Sequence, residues 1–248
     1  MRPVESRWVL ATVDESAAEE SIPALARRLG VPPLVARLLW LRNVRGADEG
    51  RAFLSPRLAD LESPSVLPDI RRAADRIAQA VRSGERIAVY GDYDVDGMTG
   101  TSVLIRFLRM AGADAVWAIP DRDSDGYGLG PAAVDRLAAD GAKVVVTVDN
   151  GVSAIPAVER AVALGLDVIV TDHHLPGAEL PPAFAIVNPH RRDAGDAGMG
   201  LCGCALAFKT AWAVAERLRG AATGEKADAF RAFLRDAVGL VALATISD

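Results

Sequence analysis

The chain has 248 residues, of which 50% are hydrophobic and 25% are charged, and its formal net charge is −5. This is the composition of an ordinary globular protein, which argues against wholesale disorder. No apolar run approaches the roughly 18–20 residues of a membrane span, and the N-terminus lacks a signal-peptide profile, so we expect a cytoplasmic protein. The two cysteines, Cys202 and Cys204, are too close together for an easy unstrained disulfide and too few for a zinc site.

The acidic excess is concentrated in one part of the chain. Residues 92–149 contain 10 Asp against 5 Arg and Lys, whereas residues 1–91 contain 14 Arg against 12 Asp and Glu. A net negative charge argues against a nucleic-acid partner. Bound cations would neutralise much of a negative charge that is local, however, so the charge does not exclude a polyanionic substrate.

The order of the predicted elements divides the chain in two. Apolar residues recur at helical spacing over residues 16–45 and again over residues 70–82. From residue 86 onward, short Val/Ile-rich runs alternate with helix-like segments, which is typical of a parallel sheet covered on both faces. We predict a helical N-terminal segment over residues 1–83. It is followed over residues 84–248 by a doubly wound α/β domain with a mainly parallel sheet and helices on both faces.

Three carboxylates on alternate residues follow the first strand-like run, which ends at Tyr90. Asp92, Asp94 and Asp96 repel one another, and a cation or a proton must relieve that repulsion. Oxygen ligands suit magnesium and manganese. An EF-hand calcium loop opens in the same way, but its twelfth position is Val103 here instead of Glu, and a strand precedes the motif. The pattern therefore predicts a site for a hard divalent metal.

Two later strand-like runs also end in polar groups. One is followed by Asp149-Asn150-Gly151 and the other by Asp172-His173-His174. Ligands bind beyond the carboxyl ends of the strands in such sheets, so neighbouring strands would bring these groups into one crevice. Asp248 follows a further apolar stretch. Each motif alone stays open, because Asp-Asn-Gly is commonly a turn and a histidine pair can lie on the surface.

In order, these four motifs resemble those of the DHH phosphoesterase superfamily. Within this superfamily, the sequences of the motifs are most similar to those of the RecJ group of bacterial single-strand-specific 5′→3′ DNA exonucleases. Flanking segments agree: Ala52-Phe53-Leu54-Ser55-Pro56, Gly126-Tyr127-Gly128-Leu129, Asn188-Pro189 and Ala207-Phe208-Lys209. The resemblance implies hydrolysis of single-stranded DNA in repair and recombination. It also implies two divalent cations, Mn²⁺ or Mg²⁺, and single-strand-binding protein and a helicase as further partners.

The resemblance also implies roles for individual residues. The metal ligands would be Asp94, Asp96, Asp149, His173 and Asp248, with Asp149 bridging two cations. Asp92 and His174 would be catalytic, and His174 would face the scissile phosphate. Asp172 would orient His173, and Asn150 would support the ligands. Two metals about 3.5–4 Å apart can activate a water and stabilise the leaving oxygen.

Three further residues are candidates for substrate binding. Gly97 and Thr99 open the helix after the first motif, where free backbone N–H groups favour an anion. Arg191 lies in a loop and could grip backbone phosphates. For Gly97 and Thr99, the alternative is simple helix capping. For Arg191, the alternative is that it and Arg192 form a solvated pair on the surface.

The chain departs from the family pattern in two places. Relatives continue past the fourth motif into a second domain and usually a nucleic-acid-binding barrel, whereas nothing follows Asp248 here. We expect a ligand at this position to fray. Cys204 and Ala205 also stand where residues like Ala and Gly are expected, which leaves the substrate role of that loop open.

Two rival functions stay open. Another phosphoesterase of the same superfamily would hydrolyse short oligonucleotides, cyclic dinucleotides or pyrophosphate. A non-catalytic scaffold would have lost metal ligands, whereas every ligand position is occupied in this sequence.

Overall fold

The computed structural model describes residues 9, 11–13, 15–121, 126, 128–196, 198–218 and 225–248. The chain divides into two compact units, Met1–Glu62 and Ser63–Asp248. The sequence placed this boundary after residue 83. The contacts place it earlier because the helix over Ile70–Ser83 packs against the sheet and helices of the second unit. Within the described residues, no helix combines the length and the apolar character that crossing a bilayer requires.

The first unit is helical, as predicted. Its helices are α1 (Glu15–Leu29), α2 (Pro33–Leu41) and α3 (Ala47–Leu54). Pro33 begins α2, where its missing N–H would have no partner in the helix. A small apolar core joins the three helices through Leu25, Ala26, Ala36 and Ala47.

The second unit contains a five-stranded sheet. Its strands are β1 (Ile87–Tyr90), β2 (Ala115–Ala118), β3 (Val144–Val148), β4 (Asp167–Thr171) and β5 (Ala185–Val187). The strand order is β2-β1-β3-β4-β5, and every neighbouring pair is parallel. The predicted parallel sheet is therefore confirmed. The chain reverses its direction of winding between β1 and β3, which is where open α/β sheets bind ligands.

Helices lie on both faces of this sheet. They are α4 (Ile70–Ser83), α5 (Val95–Met110), α6 (Pro131–Ala139), α7 (Ile155–Ala163), α8 (Gly203–Leu218) and α9 (Glu225–Ser247). Alternate residues of β1 enter two separate cores. Ile87 and Val89 pack with α4, α5 and α8, whereas Ala88 and Tyr90 pack with α6 and α7. This alternation confirms the doubly wound architecture, and α9 packs outside it on α5 and α8.

Candidate metal centre

The loops that follow β1, β3 and β4 converge at the carboxyl edge of the sheet. The N–H of Asp149 donates to the carbonyl of Thr171 at 2.9 Å, and the N–H of Asp172 donates to that of Val187 at 3.1 Å. The parallel hydrogen-bond ladder thus extends past the last residue of β3 and of β4. It fixes the first residue of each loop, and Asp149 lies beside the first motif because β1 and β3 are neighbours.

Asp92 and Asp94 meet Asp149 across the β1–β3 junction, with one carboxylate oxygen of each residue within 4.8 Å of the others. The buried carboxylate of Asp92 accepts the N–H of Tyr93 at 2.8 Å. Asp94 is exposed and caps α5 by accepting the N–H of Gly97 at 2.9 Å. Burial raises the pKa of Asp92, and the carboxylate of Asp94 adds to that rise.

Asp96 is held by the N-terminus of α8. Its buried carboxylate accepts the backbone N–H groups of Gly203 at 2.5 Å and Cys204 at 2.7 Å. Two backbone donors at the N-terminus of α8 thus fix the position of this carboxylate. The sequence patterns did not predict this role of Gly203 and Cys204. The available signal was the position of Gly203 directly before Cys204 and Ala205, the two residues noted as a departure from the family pattern.

Gly203 also lets α8 approach Asp149. A Cβ atom at this position would lie 2.6 Å from the Cβ of Asp149 and 2.8 Å from its Oδ1. Real Cβ atoms do not come so close, so glycine is required for α8 to contact Asp96 and Asp149 together.

Asp149 occupies the centre of the cluster. Its φ of 65° lies in the left-handed region, where a residue other than glycine is strained, and its side chain is buried. Burial, together with the carboxylates of Asp96 and Asp94, raises the pKa of Asp149 to about 7, against the opposing hydrogen bond from His173. Crowded carboxylates of this kind need a proton or a cation close by.

His173 joins three of the acids. Its Nε2 lies 3.0 Å from Oδ1 of Asp149, 3.5 Å from Oδ2 of Asp96 and 3.7 Å from Oδ1 of Asp248. The hydrogen bond to Asp149 raises the pKa of His173. The backbone N–H of Asp248 donates to Ala244 at 2.9 Å, so this residue continues the hydrogen bonding of α9 and presents its carboxylate to His173.

Asp172 holds His174, which corrects the prediction that it orients His173. Oδ1 of Asp172 accepts the N–H of His174 at 3.1 Å and lies 2.7 Å from its Nδ1, while Oδ2 accepts the N–H of Val152 at 2.9 Å. The tight turn after β4 returns residue 174 to the carboxylate two positions earlier. The hydrogen bond to Asp172 raises the pKa of His174 to about 9. Burial raises the pKa of Asp172, but the bonds from His174 and Val152 outweigh it and lower that pKa overall.

Asn150 supports the junction between β1 and β3. Its fully buried side chain donates from Nδ2 to the carbonyl of Val148 at 2.9 Å and to that of Tyr90 at 3.3 Å. One amide thereby ties together the ends of the two strands that carry the first and second motifs.

The two candidates on α5 are engaged within their own helix. The N–H of Gly97 donates to Asp94, and the hydroxyl of Thr99 donates to the carbonyls of Val95 at 2.7 Å and Asp96 at 3.1 Å. This is the geometry of the capping alternative.

Arg191 is engaged in ion pairs within the second unit. Its guanidinium contacts Asp69 at 2.6 Å, Asp193 at 2.7 Å and the carbonyl of Ile186 at 2.7 Å. Its side chain is only 13% exposed. Arg191 thus anchors the loop after β5 to the residue that precedes α4.

Three overlapping sets of side chains could each hold a divalent cation within the described residues. They are Asp92, Asp94 and Asp149; Asp149, His173 and His174; and Asp96, His173 and Asp248. Asp149 and His173 each belong to two sets; the two carboxylate oxygens of Asp149 could serve two adjacent cations, whereas the single lone pair on Nε2 of His173 could serve only one. Carboxylate oxygens and imidazole nitrogens in this arrangement fit Mn²⁺ or Mg²⁺, and two such cations would relieve the crowding around Asp149.

The unit that carries this cluster matches a known family. The DHH family, N-terminal domain, matches residues 86–245, which include the sheet and every residue of the cluster except Asp248. The chain belongs to the DHH family. This confirms the resemblance to the DHH superfamily, and the matched residues contain the first three motifs in full. It also accounts for the position of the DHH motif itself, Asp172-His173-His174, at the end of β4.

Curated DHH relatives of this chain are single-stranded-DNA-specific exonucleases called RecJ. The chain is 39% identical over 208 residues to RecJ of Bacillus subtilis and 39% identical over 237 residues to RecJ of Escherichia coli. The aligned parts make up 84% and 95% of this chain but 26% and 39% of those proteins. The chain therefore spans about a quarter to two fifths of the length of these relatives.

Crystal structures of RecJ share the fold of this DHH chain. RecJ from Thermus thermophilus in complex with Mn²⁺ aligns with a TM-score of 0.66 at 33% identity, covering 81% of this chain and 28% of that one. A second structure, exonuclease RecJ bound to manganese, aligns with a TM-score of 0.57 at 39% identity and covers 61% of this chain and 38% of that one. The predicted fold class is thus confirmed by solved relatives.

Proposed function

We propose that this chain is a metal-dependent 5′→3′ exonuclease that hydrolyses phosphodiester bonds of single-stranded DNA in repair and recombination. The observation that carries the proposal is the acidic cluster at the β1–β3 junction, in which Asp149 belongs to two of the three donor sets. The similarity to RecJ exonucleases and to their manganese-bound structures supports it. We assign the catalytic role to residues 84–248, which contain the whole cluster.

In this proposal, two divalent cations are held by five side chains, Asp94, Asp96, Asp149, His173 and Asp248. When bound, such cations lower the pKa of an attacking water and neutralise charge on the phosphoryl oxygens. The chain keeps the ligands in place through α8, which holds Asp96, and through the ladder bond that fixes the backbone of Asp149.

The remaining side chains of the cluster, His174 and Asp92, act on the substrate and on the attacking water. Asp172 fixes the ring of His174, whose side chain is about half exposed and so can contact the scissile phosphate. Asp92 adjoins Asp94 and Asp149. It can hold the proton of the attacking water on the carboxylate oxygen that does not bond Tyr93.

Removing the shared ligand tests this proposal. The parent is expected to degrade 5′-phosphorylated single-stranded DNA in Mn²⁺, and Asp149→Ala is expected to lose nearly all of that activity. Asp135→Ala is the matched control, because Asp135 is an exposed aspartate paired with Arg160. Circular dichroism checks that each variant is folded. A folded parent without activity contradicts the proposal, and an active Asp149→Ala removes Asp149 from the cluster.

The same cluster supports a second candidate function. The carboxylates and imidazoles of the cluster would contact a phosphodiester or a pyrophosphate, and they do not distinguish long substrates from short ones. A DHH phosphoesterase acting on short oligonucleotides, cyclic dinucleotides or pyrophosphate would therefore use the same site. Rates on long 5′-phosphorylated strands and on dinucleotides separate the two, because a preference for the short substrate contradicts the exonuclease. A non-catalytic scaffold is not proposed, since every ligand position is occupied.

We further propose that single-strand-binding protein and a helicase are partners of this chain in the cytoplasm, on the strength of its similarity to single-stranded-DNA-specific exonucleases. Size-exclusion chromatography of the chain with each purified partner tests this. Separate elution of the proteins, with and without single-stranded DNA, contradicts the partnership.

A further inference from the structure

The outward face of α2, in the helical unit, is apolar. Leu34, Leu38 and Leu41 lie on it with exposed fractions of 67%, 45% and 36%. On the opposite side of the same helix, Ala36 and Leu39 are buried. A surface helix normally carries polar residues opposite its core face. Because α2 is apolar on both sides, its outward face has the character of a contact surface.

The three leucines form a narrow stripe. Leu34, Leu38 and Leu41 are spaced by four and then three residues, which is the alternation of the d and a positions of a heptad. At 3.6 residues per turn they span an arc of about 60°. The next position of this register holds Arg45, whose guanidinium lies 5.1 Å from the centroid of the Trp40 ring. The stripe therefore has the width of a seam against one further helix.

An arginine borders the stripe on each side. In the same register, Arg37 occupies a g position and Arg42 an e position, and both are exposed. Nη1 of Arg42 donates to the carbonyl of Leu38 at 3.3 Å. Among the residues that the structure describes, neither guanidinium is paired with a carboxylate. Residues 33–45 contain three arginines and no acid, so the border is positive although the chain is net negative.

We propose that the outward face of α2 docks a helix of another protein, whose apolar seam is bordered by glutamates or aspartates. Acidic side chains at the e and g positions of that helix would pair with Arg37 and Arg42, as charge complementarity between helices requires. A second copy of this chain does not fit, because two α2 helices would bring arginine against arginine in either orientation.

A membrane surface fits this face less well than a helix does. Helices that lie on a bilayer bury a broad apolar face, often with an aromatic side chain in it. Here the stripe is narrow, and the aromatic residue of α2, Trp40, packs against the core of the helical unit. The proposal does not depend on the nuclease reaction, since every residue of the metal centre belongs to the other unit.

A pair of designed helical peptides provides the probe. Both have three heptads with Leu at the a and d positions, and they differ only in carrying Glu or Lys at every e and g position. Fluorescence polarisation measures the binding of each labelled peptide to the full chain. We expect the Glu peptide to bind with a Kd on the order of 10 µM, as a small interface implies. The Lys peptide should bind at least tenfold more weakly, and added salt should weaken the Glu peptide.

Reversing the border charges should exchange the two peptides. We expect the double variant Arg37→Glu with Arg42→Glu to bind the Glu peptide at least tenfold more weakly and the Lys peptide more tightly than the parent does. Leu38→Ser should weaken the Glu peptide through the lost apolar contact. The matched control is Arg192→Glu with Arg235→Glu, which makes the same charge change at exposed positions of the other unit. It should behave like the parent.

The same measurements can overturn the proposal. A parent that does not bind the Glu peptide, or that binds both peptides equally, contradicts it, and so does a charge-reversed variant with parent affinities. Circular dichroism checks folding, and Leu38→Ser with the salt dependence of the parent decides the matter if the charge-reversed variant does not fold. Parent binding to phosphatidylglycerol vesicles, or a parent dimer in sedimentation, that Leu38→Ser abolishes while peptide binding is unchanged would assign the face to a bilayer or to a second copy instead.

Discussion

Asp149 shows how a single residue can serve both the fold and the chemistry. It keeps a left-handed backbone, lies buried, and contacts His173 at 3.0 Å. Strain of this kind persists only where the surrounding structure fixes it. Here the fixing groups are Thr171, through the ladder bond, and α8, which packs against the carboxylate through the bare backbone of Gly203.

Gly203 therefore provides a sharp test at the residue scale. Gly203→Ala adds a Cβ that would lie 2.6 Å from that of Asp149. We expect it to reduce the free energy of unfolding by about 1–3 kcal/mol, as overpacking does, and to weaken Mn²⁺ binding. Gly200→Ala is the control, because nothing lies within 4 Å of a Cβ there. Urea unfolding and metal titration measure both effects, and equal behaviour of the two variants contradicts the tight contact.

The motifs of the cluster could be located from the sequence because each follows an apolar run; the first three runs are β1, β3 and β4, whereas the run before Asp248 belongs to α9. The contacts that hold them could not. Asp96 bonds to Gly203, 107 residues later, and Arg191 bonds to Asp69, 122 residues earlier. Such distant pairs follow from packing, which local patterns do not specify.

At the scale of elements, the loop after β5 is anchored by ion pairs and hydrogen bonds. Arg191 connects it to Asp69, which also accepts the N–H of Ile186 at 3.1 Å. Asn188, fully buried, donates to the carbonyl of His174 at 2.9 Å. The loop after β5 thereby supports the loop after β4. The DHH motif is bonded by Asn188 from the loop after β5 and by Val152 from the loop after β3.

The neighbouring arginines separate a structural role from phosphate binding. Arg191→Ala should lower the free energy of unfolding by about 1–3 kcal/mol, because it removes charged hydrogen bonds from a mostly buried side chain. It should leave the salt dependence of single-stranded DNA binding unchanged. Arg192→Ala, at an exposed position, should change stability by less than about 0.5 kcal/mol. A shallower salt dependence in Arg191→Ala, with unchanged stability, would restore Arg191 as a phosphate contact.

The helices and strands followed from periodicity, whereas the boundary between the two units did not. The pattern of α4 indicates an amphipathic helix but not the surface that it covers. Its apolar side, including Ile70 and Ile77, packs with β1, α5 and α8, so α4 belongs to the α/β unit. The change from helical spacing to Val/Ile-rich runs located the first strand in the sequence. The second unit begins before that strand, at Ser63.

At the scale of the whole molecule, the charge has a local explanation. The acidic excess over residues 92–149 includes the four aspartates of the first two motifs. Two bound cations would offset most of this negative charge, so the net charge of the chain is compatible with the polyanionic substrate that we propose. Cations that bind only the folded chain would also stabilise it, and each would add about 2.7 kcal/mol to the free energy of unfolding at a concentration of 100 times its Kd.

The number of cations bound tests the central claim most directly. Isothermal titration of the metal-free chain with Mn²⁺ should give two ions per chain, and Asp149→Ala should lose both, because in the centre that we propose both cations would be held by this ligand. Asp135→Ala should bind two, like the parent. A parent that binds one ion or none, or an Asp149→Ala variant that still binds two, would contradict the two-metal centre.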